Sequence, residues 1–253
     1  MEFRVLGTVE VAGADGPRPL HGRKELAVLA YLLANAGRSV PADELVWAVW
    51  GEDAPPSAHK SLQVRLSRLR ADLGGGAARI ARDGAGYRLA VEPGELDAQR
   101  FERLVGEAAA LAPAEAAEAY GRALALVRGR PYADVADLDA LQSEIRRLEE
   151  LRLAAVEGRL RALVELGRHG DALPELDRAV DAEPLHEGLA ALQLLALYRA
   201  GRQADALAAY RALVRRLDDV GLEPSAELRE LERRVLVQDP RRAPRRPPTS
   251  VSG

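Results

Sequence analysis

The chain has 253 residues, 47% of them hydrophobic and only 4% aromatic, with a formal net charge of −3 and no cysteine. No apolar run reaches the roughly 20 residues that span a bilayer, MEFRVLGTVEVAG lacks the layout of a signal peptide, and without cysteine neither a disulfide framework nor a thiolate metal site can form. The length suits two ordinary domains, and the wealth of alanine and leucine favours helix, so a mainly α, cytoplasmic protein without membrane contact is expected.

The first twenty residues read as strands. Phe3, Val5, Val9 and Val11 alternate with other residues, and Gly13-Ala14-Asp15-Gly16 signals a turn. Arg23 to Ala36 carries a helical period, with Leu26, Leu29, Ala30 and Leu33 on one stripe and Gly37 placed as the C-terminal cap. A second helix is expected from Pro41, with Asp43 and Glu44 in its first turn, Leu45, Val46 and Val49 facing inward and Gly51 ending it.

A third helix is expected over 57–73, with Ser57 as its N-cap after Pro55-Pro56. Leu62, Leu66, Leu69 and Leu73 form its inner stripe. Ser61, Val64, Arg65 and Arg68 form a neighbouring stripe free to face outward, flanked by Lys60 and Ser67. Gly74-Gly75-Gly76 breaks the helix. Two short strands, Arg79 to Arg82 and Tyr87 to Val91, then flank the hairpin signal Asp83-Gly84-Ala85-Gly86. Strands, three helices and a terminal hairpin make a winged helix-turn-helix, assigned to residues 1–93.

Residues 57–88 hold seven Lys/Arg and two acids, a local charge of +5, although residues 1–95 as a whole balance twelve basic against twelve acidic groups. A basic helix with a wing suits the major groove of duplex DNA. Arg65 and Arg68 are placed to read guanine edges, Val64 to touch a thymine methyl, and Lys60, Ser61 and Ser67 to hold phosphates. Arg82 on the wing is placed to reach the adjacent minor groove or backbone, and the Trp50 indole N–H to reach a phosphate. Arg70 lies off this stripe and is expected to be structural or to touch phosphate only.

From about Leu96 the chain is helical, and the region 96–238 reads as a tetratricopeptide-like repeat domain. LVELGRHGDAL at 163–173 returns as LYRAGRQADAL at 197–207, an offset of 34 residues. A degenerate earlier repeat is expected over 97–128, an irregular connection at 129–139, one long helix over 142–166, and a last helix from Glu223-Pro224-Ser225 to about Gln238. Tyr120, Tyr198 and Tyr210 either fill inter-helix packing or anchor a partner on a concave face. Glu144, Glu149 and Glu150 with Arg146, Arg147 and Arg152 read as surface ion pairs, each of small value. Residues 239–253, rich in proline and arginine, read as a disordered tail or linker.

Enzymatic readings find no support. His21, His59, His169 and His186 are scattered, with His169 expected to be exposed in a repeat turn, and no HExxH, GxSxG, GxGxxG or Walker A spacing occurs. No cofactor or metal is expected. A protein–protein adaptor acting through the repeats, with little DNA binding, is the alternative.

KSLQVRLSRLRADL followed by GAGYRL resembles the recognition helix and wing of the OmpR-type winged-helix family. With MEFRVLGTVEV, LVWAVWGEDAPPSAHKSLQVRLSRLR and ELDAQRFERLV, about residues 1–240 resemble the Streptomyces antibiotic regulatory protein family, whose second region is a bacterial transcriptional activation domain. The resemblance implies a transcriptional activator of antibiotic or other secondary-metabolite genes that binds tandem direct repeats as a homodimer or side-by-side pair and engages RNA polymerase. It implies DNA contacts by Lys60, Ser61, Val64, Arg65, Ser67 and Arg68, with Tyr87 and the wing near the backbone, and a nucleoid-associated location. Asp83 departs from the basic residue of some relatives, which leaves Arg82 as the wing's better contact. The winged helix begins at residue 1, so no receiver domain is expected ahead of it in this chain.

Overall fold

The computed structural model describes residues 1–13, 16–20, 22–74 and 79–237. The expected turn at Ala14-Asp15, His21, Gly75-Gly76, Gln238 and the 239–253 tail lie outside the described residues.

Three short antiparallel strands open the chain: β1 (Glu2–Arg4), β2 (Glu10–Gly13) and β3 (Gly16–Arg18), in that order across the sheet. Phe3 pairs with Val11, and both are buried, as their alternation predicts. The third strand, GPR, carries no apolar alternation, though it lies within the first twenty residues that read as strands. Helix α1 (Arg23–Ala34) follows, two residues shorter than expected. Its end is set by Asn35, whose side-chain amide donates to the Tyr31 carbonyl at 3.0 Å, and Gly37 lies beyond the cap.

Val40–Pro41 is a strand, β4, where the sequence suggested the start of a helix. It pairs with β6 (Gly86–Leu89), which also pairs with β5 (Ile80–Asp83), giving the order β4-β6-β5. Only glycine permits this approach at 86, because a Cβ there would lie 2.2 Å from the Val40 carbonyl oxygen. Helix α2 therefore runs over Ala42–Trp50, and buries Ala48 as well as Leu45, Val46 and Val49. Helix α3 spans Ala58–Asp72. Ser57 precedes it but makes no side-chain cap hydrogen bond, because its backbone (φ −87°, ψ 4°) lies outside the extended conformation of a capping residue. Leu62, Leu66, Leu69 and Leu73 are all buried, as the 4-3-4 spacing requires.

The rest is helical: α4 (Asp97–Ala108), α5 (Pro113–Leu124), α6 (Gln142–Glu165), α7 (His169–Ala182), α8 (Glu187–Arg199), α9 (Gln203–Asp218) and α10 (Ala226–Leu236). Ser225 caps α10 by accepting from the Leu228 amide at 3.3 Å, and His186 caps α8 by accepting from the Leu189 amide at 3.2 Å. The 34-residue repeat is visible in its bonds. Arg168 N–H donates to the Leu163 carbonyl and Arg202 N–H to that of Leu197, both at 2.9 Å. Gly167 and Gly201, between them, take φ of 76° and 80°, a conformation that disfavours a side chain. Arg168–Asp171 and Arg202–Asp205 repeat the same ion pair, and Ala172 and Ala206 are both fully buried.

By compactness the chain forms two units, Met1–Glu107 with Arg122–Leu153, and Ala108–Gly121 with the chain from Ala154 onward. Compactness thus divides the molecule differently from the change of texture near residue 95. The first unit explains why. Asp97, opening α4, accepts the Val5 and Leu6 amides at 2.8 and 3.1 Å. The irregular segment after α5 then bonds to the same stretch, Arg128 to Leu6, Tyr132 to Val5 and Ala133 to Gly7, at 2.7–2.9 Å. Burial pushes the Asp97 carboxyl up, opposed by those amides and by Arg128 at 3.8 Å. In the second unit the tyrosines pack. Tyr120 and Tyr198 are buried, and the Tyr120 ring fills the space beside Gly158, while Tyr210 is half-buried.

Candidate nucleic-acid interface

Helix α3 divides cleanly. Its leucine face is buried, and His59, Lys60, Gln63, Val64, Ser67, Arg68 and Ala71 are exposed. Val64, at 45% exposure, is a large apolar side chain held out in water on a polar face. The spacing 60-63-64-67-68-71 follows the helix period, so these residues share one outward surface. Gln63 was missed by the sequence reading, which took charge as its guide. The period from Lys60 and Ser67 would have found it.

Arg65 is not on the open face. It is half-buried, with its guanidinium 5.7 Å from the Trp50 ring centroid and Nη1 at 3.5 Å from the Ser61 carbonyl, while its Nε is buried without a partner. The physical reason is the helix turn. At 100° per residue, position 65 points between the outward and leucine faces, toward the end of α2. The Lys24 ammonium, from the first turn of α1, lies 5.0 Å from the same ring. Two cations share one indole, a favourable pairing for each with the ring although like charges repel. Helices α1, α2 and α3 thereby place an ammonium, an indole N–H and a guanidinium around one point. Ser61, beside them, is half-buried.

Arg70 acts as a rivet between helix and wing, as its place off the stripe suggested. Its Nε donates to the Ile80 carbonyl at 2.9 Å and its guanidinium stacks 5.8 Å from the Tyr87 ring. Tyr87 is consequently 8% exposed. With its ring covered by Arg70, Tyr87 presents little surface to a DNA backbone, against the expectation that it lies near one. Arg18 closes the other end of α3, donating to the Asp72 carbonyl at 2.8 Å, where the helix dipole is negative. On the wing Arg82 is exposed, and Asp83 is neutralised by an ion pair to Arg88. His59 hydrogen-bonds Asp43 at 2.7 Å, linking α3 to α2. Trp47, on the outer face of α2, is 52% exposed and was also missed. Among the described residues no group of three or more His, Asp or Glu is placed to hold a metal ion, and no helix is long and apolar enough to cross a membrane.

Comparison with known proteins places this geometry. The family model for the bacterial transcriptional activator domain matches residues 96–236, and that for the C-terminal domain of transcriptional regulatory proteins matches residues 19–89. The chain is 36% identical to the regulatory protein DnrI of Streptomyces peucetius, over 95% of this chain and 93% of DnrI. It is 34% identical to the transcriptional regulator RedD of Streptomyces coelicolor, over 95% of this chain and 71% of RedD. It is 37% identical to the regulatory protein AfsR of Streptomyces griseus, of which it spans only 25%. A solved structure of Mycobacterium tuberculosis EmbR, bound to a low-affinity phosphopeptide, superposes with a TM-score of 0.89 at 32% identity, over 94% of this chain and 65% of that one. With a winged helix and a helical activator domain in this order, the chain belongs to the Streptomyces antibiotic regulatory protein family.

Proposed function

We propose that the chain activates transcription by binding promoter DNA in a sequence-specific way, with residues 1–93 as the DNA-binding part and 96–238 as the activating part. The observation that carries the reading is the exposed Lys60–Gln63–Val64–Ser67–Arg68 surface on a helix whose opposite face is wholly buried. Arg68 reads a guanine, Gln63 an adenine and Val64 a thymine methyl, the pairings that major-groove geometry favours. Lys60, Ser67 and the Lys24–Trp50–Arg65 cluster hold phosphates, and Arg82 reaches the backbone beside the wing. Two copies lie side by side on tandem direct repeats about one helical turn apart, and the helical region engages RNA polymerase. The genes controlled are those of secondary metabolism, in keeping with the regulators it resembles. The adaptor reading leaves this outward face without a task.

Footprinting on candidate promoters tests the proposal. Two protected half-sites about one turn apart are expected, both needing a roughly 5- to 150-fold higher concentration of Arg68→Ala for protection, in a protein of unchanged fold. A single half-site contradicts the paired arrangement, and an unaltered footprint contradicts the assignment of α3 to the groove.

A further inference from the structure

A cleft of about 470 Å³ opens on the first unit, away from α3 in sequence, lined by Val127–Pro131 and by Glu149 and Arg152 of α6. Its volume falls in the range of small-molecule sites. Three guanidiniums reach it against one carboxylate. Arg128 is already committed, to Glu10 at 2.8 Å and to the Thr8 carbonyl at 3.1 Å. Arg130 is less engaged: its one ion pair among the described residues is to Glu149, at 3.5 Å, and its side chain is 54% exposed. Arg152 is exposed and has no ion-pair partner among the described residues. The amides of Gly129 and Arg130 likewise have no hydrogen-bond partner among the described residues.

The surroundings make this more than a solvated charge run. The segment that forms the cleft is the one that bonds to Val5, Leu6 and Gly7 of the N-terminal stretch. It is held in an unusual backbone, with Tyr132 at φ 55°, fully buried and its hydroxyl without a partner. Such conformations persist where surrounding structure fixes them, and they gather at ligand sites. Exposed guanidiniums suit the oxygens of a phosphoryl group, which they grip bidentately.

We propose that this cleft binds a small, freely soluble phosphorylated metabolite, gripped by Arg130 and Arg152 over the Arg128-Gly129 backbone. Ligand binding there stabilises the segment that holds the N-terminal sheet.

The test titrates the full chain with inorganic pyrophosphate at constant ionic strength, by calorimetry and by thermal denaturation. One saturable site and a midpoint that climbs with concentration are expected. Arg130→Gln and Arg152→Gln should each weaken pyrophosphate binding about tenfold or more, with DNA affinity in the same buffer unchanged. Neither residue is in a core, so both variants should fold, and circular dichroism checks this. Absence of saturation, or equal binding by the variants, overturns the proposal. So does loss of DNA affinity in the variants without pyrophosphate binding by the wild type, since the cleft would then be a DNA-backbone contact.

Discussion

Replacing Trp50 by leucine removes the ring against which Lys24 and Arg65 lie, at 5.0 and 5.7 Å from its centroid. Both contacts exist in the free protein, so their loss acts through preorganisation. Each long side chain released must be immobilised again on binding, at about 0.5–1.5 kcal/mol apiece. Two such side chains give about 1–3 kcal/mol, a roughly 5- to 150-fold loss of DNA affinity, to which loss of the indole N–H contact adds. Because phosphates carry no sequence information, the loss should be uniform across operator variants. The charges remain, so the dependence of log affinity on log salt should keep its slope. Lys24→Ala, by contrast, should lower that slope by about 0.9, the release of one phosphate's counterions. Fluorescence anisotropy over a series of salt concentrations measures both quantities, with circular dichroism to verify folding. A Trp50→Leu affinity within twofold of wild type, or an unchanged slope for Lys24→Ala, would refute the account of a phosphate clamp.

Other consequences follow from particular contacts. Arg68→Ala should relax discrimination at one base pair by about 1–3 kcal/mol, seen as flattened preference at a single operator position in competition binding. Asp97→Ala orphans the Val5 and Leu6 amides and should destabilise the chain by about 3 kcal/mol in urea melts, less the relief of removing a buried charge; a loss under about 0.5 kcal/mol would show that water replaces the carboxylate. Gly158→Ala would bring a methyl to 2.5 Å from the Tyr120 ring and should cost about 1–3 kcal/mol, recovered by adding Tyr120→Leu. Burial and the Glu44 carboxylate push the Tyr31 hydroxyl up to about 12, from 10.0 in an unperturbed tyrosine. Between those values the unfolded chain releases a proton that the native chain keeps, so stability falls as pH rises from 10 to 12. Tyr31→Phe should flatten that part of the thermal midpoint against pH, and an identical decline in both proteins would contradict the assignment.

The parts of the fold legible in the sequence are those in which a local period meets a large burial. The leucines of α3 announce themselves because one helix face excludes water entirely, and the 34-residue return shows because each repeat needs the same glycine turn and buried alanine. Strand β4 was hidden because two residues have no period. Its existence depends on Gly86, distant in sequence, admitting a carbonyl at its Cα. The irregular segment 129–139 was recognised as irregular, but its bonds to Val5–Gly7 are long-range and leave no local pattern. In the candidate interface, charge located the helix and misjudged individual side chains. Arg65 turned toward Trp50 and Tyr87 turned beneath Arg70, since contacts from α2 and the wing decide where each points. His169, expected in the open, is half-buried with its Nδ1 unpartnered, and burial holds its imidazole below the usual range.

The central claim is that the outward face of α3 reads DNA sequence. Selection of genomic fragments by the wild-type chain and by Arg68→Ala, at a salt concentration that suppresses non-specific binding, tests it most directly. The account predicts that the wild type enriches tandem direct repeats about one helical turn apart upstream of biosynthetic genes, and that the variant loses the preference at one base of each repeat. Enrichment of no common sequence by the wild type, or the same sequence by both proteins, would contradict it.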